Sequence, residues 1–386
     1  MTTIYLIRHA EAEGNLYRRV HGWYDSKITE RGFRQIQALK ERFRDIRIDA
    51  VYSSDLLRTC TTAQAVYVPK GLELHTTPAL REAGMGVWED LTWGQVARIA
   101  PEKLKWFTEG SPLWGDVPGS ESFQTVQDRA WGALRDIART HPEQTVAVFC
   151  HGMAIRAILA KCHGLPLEGM REIPHSDNTG VACFRTDGER VEMVHDSDAS
   201  HLSASLSTFS SQRWWRDKRG AMADTNLWFR PMDLAAEELF YRDCRREGWL
   251  ASHGTMDHFD GDAFVRAAQK NLAEDGESLV CGMLGDDPAG VLQLDFRRDA
   301  DQGAGWIPFC YMLPQTRGQG MGIQLIGEAV SRFRGRGREK LRLRCAPENA
   351  VAQRFYRRYG FEKIGEDRDS AVPLDIMEKY IGYGRP

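Results

Sequence analysis

The chain of 386 residues carries 51 lysines and arginines against 54 aspartates and glutamates, which leaves a formal net charge of −3 at pH 7. A charge this close to neutrality gives no general argument for a nucleic acid or an anionic membrane as partner. No apolar run approaches the roughly 20 residues of a membrane-spanning helix, and the length predicts two or three domains.

The N-terminus and the cysteines predict a cytoplasmic protein. The first apolar run, IYLI, reaches Arg8 too early for a secretory signal peptide. The eight cysteines form no CxxC pair, and several lie inside apolar strand-like runs such as VAVFC. We therefore expect reduced thiols that pack as small core residues.

The first 200 residues alternate between predicted strands and helices. The strand IYLI precedes the helix TERGFRQIQALKERFRD, for which Thr29 is the expected N-cap. DAVYSS predicts a strand that leads into the helix LLRTCTTAQAV, and TVAVFC predicts a strand before the helix MAIRAILAKC. VACFR and RVEMVH close this half as strands. The alternation predicts an α/β fold, a mostly parallel α/β/α sandwich that binds ligands beyond the carboxyl ends of its strands.

A change of pattern separates the two halves of the chain. The serine-rich stretch SASLSTFSSQ and the irregular stretch WWRDKRGAMAD predict a linker at 206–223, between domains at 1–205 and 224–386. In the second half, NLWFRPM predicts a strand and helices are expected near 233–246 and 262–274. Three strands, a helix that begins in a glycine-rich turn, the strand KLRLRCA, a helix from Asn349 and two closing strands complete it.

Four segments of the first half bring polar groups to predicted strand or loop ends. They contain the pair Arg8-His9, Arg58 in SSDLLRTCTTA, Glu82 in LREAGMGVWED and His151 in FCHGMAIR. Guanidinium forks and helix N-termini bind phosphate oxygens, and a neutral imidazole is a nucleophile near neutral pH. A nearby carboxylic acid can protonate a departing alkoxide. No ligand cluster in this layout predicts a metal ion.

In their order along the chain, these segments resemble the histidine phosphatase superfamily, in particular its phosphoglycerate mutase-like members. The resemblance covers the first 200 residues or so. It implies that His9 is the phosphorylated nucleophile and that Glu82 is the proton donor. It also assigns the phosphoryl oxygens to a group of binding residues, namely Arg8, Arg58 and His151 with help from Asn15. Asn178 matches a position near the rim of the pocket.

Either hydrolysis of a phosphomonoester or a phosphoglycerate-type mutase reaction fits this resemblance. The family's mutases carry additional basic segments around the glutamate, and REAGMGVWED does not resemble them, so hydrolysis is favoured. Five nearby tryptophans shape an apolar substrate lid or pack in the core, namely Trp23, Trp88, Trp93, Trp106 and Trp114.

A glycine-rich turn, RGQGMG at Arg317–Gly322, lies between a predicted strand and an amphipathic helix of the second half. Gly318, Gly320 and Gly322 expose main-chain N–H groups and permit close approach of a ligand. At a helix N-terminus, such a turn is typical of a pyrophosphate-binding site.

The order of strand, RxxGxG, helix, strand and PENAVAQRFYRRYGF resembles the GNAT acetyltransferases over residues 224 to 386. The resemblance implies an α+β domain with a mixed sheet that binds acetyl-CoA and acetylates an amine of a small molecule. The turn from Arg317 to Gly322 would bind the pyrophosphate. The edge of the strand at Tyr311 and Met312 would bind the pantetheine arm, Asn349 would contact the cofactor, and Tyr356 would protonate the departing thiolate. The general base stays open, with Asp295 among the possible carboxylates.

Together the two halves predict a bifunctional enzyme with a phosphomonoester and an amine as its small-molecule substrates, and with no nucleic acid or membrane as partner. As an alternative, the second domain senses acetyl-CoA and regulates the phosphatase without catalysis. The fusion suggests that both domains serve one pathway or one metabolite. The identities of the substrates and the oligomeric state are not predicted.

Overall fold

The computed structural model describes residues 1–211, 225–368, 370 and 372–384. The chain divides into two compact units, one formed by Met1–Leu91 and Val96–Ala221 and the other by Thr92–Gln95 and Met222–Pro386. Among the described helices, none combines the length and the apolar character needed to cross a membrane. All eight cysteines are free thiols.

The first unit is built on one mixed six-stranded sheet. Its strands are β1 (Thr2–Arg8), β2 (Ala50–Ser53), β3 (Leu74–Thr76), β4 (Thr145–Cys150), β5 (Val181–Thr186) and β6 (Val191–Asp198). They lie in the order β3-β2-β4-β1-β5-β6. The first four in this order run parallel, whereas β5 and β6 are antiparallel to their neighbours. The predicted mostly parallel sandwich is confirmed.

The helices of residues 13–211 are α1 (Glu13–Tyr17), α2 (Glu30–Phe43), α3 (Leu57–Lys70), α4 (Trp93–Ile99), α5 (Pro101–Glu109), α6 (Phe123–Thr140), α7 (Gly152–Cys162) and α8 (Thr208–Ser211). Among them, α3, α6 and α7 pack on strands of this sheet. Thr29 caps α2 as predicted, since its Oγ1 accepts the N–H of Gly32 at 3.0 Å. The apolar face of α2, including Leu39 and Phe43, packs in a buried cluster with Val66 of α3. Burial of this face stabilises the helix beyond its intrinsic propensity.

The parallel pair at the centre of the sheet positions the predicted site. Arg8 at the end of β1 lies opposite Cys150 at the end of β4. Because the two strands run in the same direction, the residues that follow them, His9 and His151, emerge at the same edge of the sheet.

The end of the first unit lies inside the predicted linker. The main-chain oxygen of Leu206 accepts a bond of 2.8 Å from Gln35 Nε2, and Asp177 accepts the N–H of Thr208 at 3.1 Å. These bonds fix the start of the 206–223 segment on the first unit, because they satisfy buried polar groups. Residues 212–223 of that predicted linker lie outside the described residues.

The second unit contains a seven-stranded mixed sheet. Its strands are β7 (Trp228–Pro231), β8 (Leu279–Leu284), β9 (Asp287–Asp295), β10 (Ala304–Met312), β11 (Lys340–Cys345), β12 (Glu362–Asp367) and β13 (Leu374–Tyr380). Their order is β12-β13-β11-β10-β9-β8-β7. The helices are α9 (Leu234–His253), α10 (Gly261–Glu274), α11 (Gly322–Arg334) and α12 (Ala350–Arg358). The α+β domain with a mixed sheet is confirmed, and α9 extends beyond the predicted end at 246.

Two neighbouring parallel strands of this sheet separate along their length. β10 and β11 pair only from Ala304 to Ile307. Beyond that point β10 continues along β9 as far as Met312, and β11 continues along β13 as far as Cys345. Main-chain groups of β10 are therefore open on the side that faces the gap, and open strand edges bind extended ligands.

Candidate active sites

His9 follows the central strand β1 and is almost fully buried, with 2% of its surface exposed. Its main-chain N–H donates to the carbonyl oxygen of Cys150 at 3.1 Å. Its Nδ1 lies 2.8 Å from the carbonyl oxygen of Ala10. Because a carbonyl only accepts, Nδ1 carries the proton and Nε2 keeps its lone pair. The neighbouring main chain at Ala10 thus orients the His9 ring with an unprotonated Nε2.

His151 is the second histidine of the pocket and the N-cap residue of α7. Its ring centroid lies 5.3 Å from that of His9. The ring is completely buried, and neither of its nitrogens has a hydrogen-bond partner in the protein. The sequence therefore predicted correctly that these two distant residues lie side by side.

Arg58 lies on the first turn of α3 and is completely buried. Its Nη1 donates to the carbonyl oxygen of Tyr24 at 3.1 Å. Its Nη2 donates to the carbonyl oxygens of His21 at 3.0 Å and Gly22 at 2.7 Å. The loop at residues 21–24 therefore surrounds the guanidinium. The Nε atom of Arg58 has no hydrogen-bond partner.

Arg8 complements Arg58 from the end of β1. Its Nη1 donates to the carbonyl oxygen of Ser176 at 2.6 Å, while its Nε has no partner. Buried donors without partners cost free energy. A Cβ at Gly152, the residue after His151, would lie 3.4 Å from Arg8 Nε, and the charge of Arg58 acts on His151. A tetrahedral oxyanion bound beside His151 could therefore satisfy these unpartnered nitrogens. This set of unpartnered buried groups fits a phosphoryl group.

Glu82 is positioned by the N-terminus of α7. Its Oε1 accepts the N–H groups of Ala83 at 2.9 Å and Ala154 at 3.0 Å, and its Oε2 accepts the N–H of Met153 at 3.0 Å. These three main-chain N–H groups fix the orientation of the Glu82 side chain. Because the same helix begins at His151, the carboxyl group is held beside the histidine pair.

Burial sets the protonation of this pocket. It lowers the pKa of His9 and of His151 well below 6.5, with the Arg58 charge as the next cause for each. Burial also lowers the pKa of Arg58 to about 10, so the guanidinium stays charged. A neutral imidazole next to two permanent cations is the combination required for attack on a phosphate anion.

We expect the first unit to lose stability as the pH falls below 6.5. Its buried histidines have a pKa below 6.5 when folded and about 6.5 when unfolded, so the unfolded chain binds more protons in acid. Each histidine then removes up to about 1.4 kcal/mol per pH unit from the free energy of unfolding. Denaturant titrations between pH 7.5 and 5 measure the slope, and His151→Asn should make it smaller. A stability independent of pH would contradict this expectation.

Asn15 is held by His21, a residue that the sequence analysis did not single out. The Asn15 Oδ1 accepts the N–H of Ala12 at 3.0 Å, and its Nδ2 donates to His21 Nε2 at 3.3 Å. His21 Nδ1 in turn donates to Ser26 Oγ at 3.1 Å. A Cβ at Gly14 would lie 2.3 Å from the His21 ring, so only glycine leaves room for it. The histidine of RVHGWYD was the available signal in the sequence; it joins His9 and His151 as a third histidine of this region.

Asn178 contacts the main chain directly after β1. It is completely buried, and its Nδ2 donates to the carbonyl oxygen of His9 at 2.9 Å. It therefore supports the main chain of the predicted nucleophile.

The glycine-rich turn of the second unit has the backbone that the sequence predicted. Gly318 and Gly320 have φ angles of +72° and +77°, a region that side chains with a Cβ rarely adopt. Within the described part of the chain, the main-chain N–H groups of Gly318, Gln319 and Gly320 donate to no protein acceptor. Free amides before the N-terminus of α11 fit a pyrophosphate.

The Tyr356 hydroxyl reaches from α12 to β10. It is bonded to the thiol of Cys310 on β10, and burial raises the pKa of the tyrosine well above 10. It therefore keeps its proton at neutral pH.

Asn349 caps α12, since its Oδ1 accepts the N–H of Ala352 at 3.0 Å and its Nδ2 donates to Ser252 at 3.2 Å.

A carboxylate absent from the sequence analysis lies on the other face of β10. The Tyr311 hydroxyl donates to Glu247 Oε2 at 2.5 Å, and burial raises the pKa of Tyr311. Asp295 lies opposite Trp306, near the start of β10, and accepts two main-chain N–H groups of its own turn. Glu247 is therefore a carboxylate beside the strand predicted to bind the pantetheine arm, and its position on α9 gave no signal in the sequence.

Comparisons with known proteins match one family to each half of the chain. The model of the histidine phosphatase superfamily (branch 1) matches residues 4–198. The model of the acetyltransferase (GNAT) family matches residues 236–361.

Individual relatives match about half of the chain. The chain is 32% identical over 203 residues to phosphoglycerate mutase-like protein 4 of Arabidopsis thaliana, and the match covers 52% of this chain and 86% of that protein. It is 32% identical over 167 residues to phosphoserine phosphatase 1 of Hydrogenobacter thermophilus, and this match covers 43% of this chain and 79% of that protein. The solved structure of Bacillus stearothermophilus YhfR is 30% identical, with a TM-score of 0.51, and covers 53% of this chain and 100% of its own.

Proposed function

The chain belongs to the histidine phosphatase superfamily and carries a GNAT domain, and from this we propose that it is a bifunctional enzyme that hydrolyses a phosphomonoester and acetylates an amine. The observation that carries the first activity is the set of buried, unpartnered nitrogens of Arg8, Arg58 and His151 around His9.

In the first step, His9 Nε2 attacks the phosphorus atom while the ester P–O bond breaks, which leaves a phosphohistidine and an alkoxide. Arg8, Arg58 and His151 hold the phosphoryl oxygens and stabilise their charge. Glu82 protonates the alkoxide. No metal ion is needed, because the two guanidinium groups supply the positive charge.

In the second step, water attacks the phosphohistidine and inorganic phosphate leaves. Glu82, now a carboxylate, takes the proton of that water, and His9 returns to its neutral form. The same group thus acts first as acid and then as base.

Hydrolysis is favoured over phosphoryl transfer between two positions of one substrate. A mutase must bind a second anionic group near the proton donor, yet the stretch from Ala83 to Leu91 contains no lysine or arginine. The test is the product: release of inorganic phosphate from p-nitrophenyl phosphate in EDTA supports a phosphatase. Interconversion of phosphoglycerates without net phosphate release would contradict it.

The second activity is supported by the open edge of β10 and by the free amides of the glycine-rich turn. When bound, acetyl-CoA would supply the acetyl thioester, with its pyrophosphate on the amides of Gly318 and Gly320. Tyr311 and Met312 would face the pantetheine arm, and Asn349 would contact the cofactor from the start of α12. The buried Tyr356 hydroxyl holds a proton that it can give to a thiolate.

Gly320→Ala is expected to weaken acetyl-CoA binding about tenfold, because a Cβ strains a backbone with φ of +77° and displaces the amides. Isothermal calorimetry measures this directly. Gly337→Ala is the matched control, since Gly337 has φ of +72° outside the turn, and it should bind as the wild type does. Equal affinities for both variants, or no binding by the wild type, would contradict the assignment of the turn.

A turnover assay distinguishes a catalytic acetyltransferase domain from a domain that only senses acetyl-CoA. Cleavage of the acetyl-CoA thioester in the presence of a panel of primary amines supports an acetyltransferase, provided that Tyr356→Phe loses this activity but still binds acetyl-CoA. Binding without cleavage on any amine supports a regulatory domain.

A further inference from the structure

Trp23 differs in exposure from Trp88 and Trp114 of the first unit. Trp88 and Trp114 are 3% and 2% exposed and contact each other in the core, with ring centroids 5.2 Å apart. The Trp23 side chain is 44% exposed. A large exposed aromatic side chain needs an explanation when it lies beside a binding site.

Trp23 is exposed but not free to move. Its indole Nε1 donates to the carbonyl oxygen of Glu82 at 2.9 Å. Its main-chain N–H donates to Glu89 Oε1 at 2.7 Å, and the N–H of Tyr24 donates to Glu89 Oε2 at 2.7 Å. A Cβ at Gly84 would lie 3.3 Å from the indole, so the ring packs closely on that glycine. The ring is therefore preorganised, which reduces the entropy lost when a ligand contacts it.

Trp23 lies between a phosphoryl-binding residue and the proton donor of the proposed function, Arg58 and Glu82. Its loop encloses the Arg58 guanidinium with the carbonyl oxygens of His21 and Gly22. Its indole is bonded to the main chain of Glu82, the residue that protonates the leaving oxygen under the proposed function. The organic part of the ester must extend from that oxygen toward solvent. The Trp23 ring is exposed to solvent and is hydrogen-bonded to the main chain of Glu82.

The neighbouring charges do not change the apolar character of the ring. The Arg81 guanidinium lies 5.3 Å from the Trp23 ring centroid. It is already paired with Asp55 through bonds of 2.6 Å and 2.5 Å. The exposed Trp23 ring thus lies beside an ion pair in which the two charges compensate each other.

We propose that Trp23 stacks on the alcohol part of the substrate and selects phosphomonoesters of flat, aromatic alcohols. The inference rests on the proposed phosphatase activity and names the substrate class of that site. Aromatic rings prefer offset-stacked or edge-to-face contacts with other rings, which an aliphatic alcohol cannot make.

The test compares benzyl phosphate with ethyl phosphate, whose leaving alcohols have similar basicity. Trp23→Ala should lower the ratio of the two kcat/KM values about tenfold relative to the wild type, whereas Trp23→Phe should keep most of it. Inhibition by inorganic phosphate should be unchanged in both variants, because the phosphoryl pocket is intact. Leu113→Ala, which removes another exposed apolar side chain, 62% exposed, is the control and should leave the ratio unchanged.

An unchanged ratio in Trp23→Ala would overturn the proposal. A weaker inhibition by phosphate that accounts for the whole loss would also overturn it, because Trp23 would then only support the loop around Arg58. If the wild type released no phosphate from either ester, the proposed phosphatase activity itself would fail, an outcome distinct from turnover with an unchanged ratio.

Discussion

His9→Ala is expected to lower kcat/KM for p-nitrophenyl phosphate by at least about 10⁴-fold, because removal of the attacking atom of a covalent mechanism leaves only the binding groups. The ring is oriented by the Ala10 carbonyl oxygen and lies 5.3 Å from the ring of His151. Water could still reach the bound phosphoryl group in the variant, so a small residual rate is expected.

Phosphate release measured at saturating and at low substrate gives kcat and kcat/KM separately. His75→Ala is a suitable control, because His75 is exposed and packs on Tyr52 with centroids 5.0 Å apart. It should retain wild-type activity. An acid-labile phosphoryl group on the wild-type enzyme, seen by phosphorus NMR after a rapid quench, should be absent in His9→Ala. Substantial activity in His9→Ala would exclude His9 as the nucleophile.

Arg58→Ala is expected to reduce both stability and activity. The side chain donates to the main-chain oxygens of residues 21, 22 and 24, and these buried acceptors lose their partner in the variant. Unsatisfied buried groups of this kind reduce the free energy of unfolding by on the order of 3 kcal/mol. The loss of one of two phosphoryl-binding guanidinium groups should lower kcat/KM by about 10³-fold.

Arg156 provides a matched control for this variant. It is 3% exposed, and it also donates to main-chain oxygens, those of Ile173 and Met170 at 2.9 Å each. Both alanine variants should lose stability in urea titrations, but only Arg58→Ala should bind inorganic phosphate much more weakly. Equal phosphate affinity in the two variants would show that Arg58 only supports the loop.

The strand ends that carry the first site were predictable because local patterns encode them. An apolar run that stops at Arg8-His9 and another that stops at His151 each predict a buried strand with a polar exit. Parallel strands place their carboxyl ends at one edge, so the convergence of His9 and His151 followed from the fold class. The cap at Thr29 was likewise predictable from residue type.

Other features depended on partners that are distant in the sequence. Glu247 reaches Tyr311 across 64 positions, and no local pattern marks one glutamate of α9 among its neighbours. Asp295 was among the possible carboxylates for the general base, and only the strand register shows that it lies opposite Trp306. The start of the predicted linker is held by Gln35 and Asp177, which its serine-rich composition does not indicate.

The sequence by itself determined the fold classes, the order of the elements and the charged residues of the pocket, because side-chain periodicity and residue type carry that information. Only the tertiary structure decided which tryptophan stays exposed, how Arg58 is enclosed and which buried nitrogens lack partners. The physical reason is that these features depend on main-chain carbonyl oxygens and on packing. Every residue has such an oxygen, so residue type does not indicate which of them binds a guanidinium group.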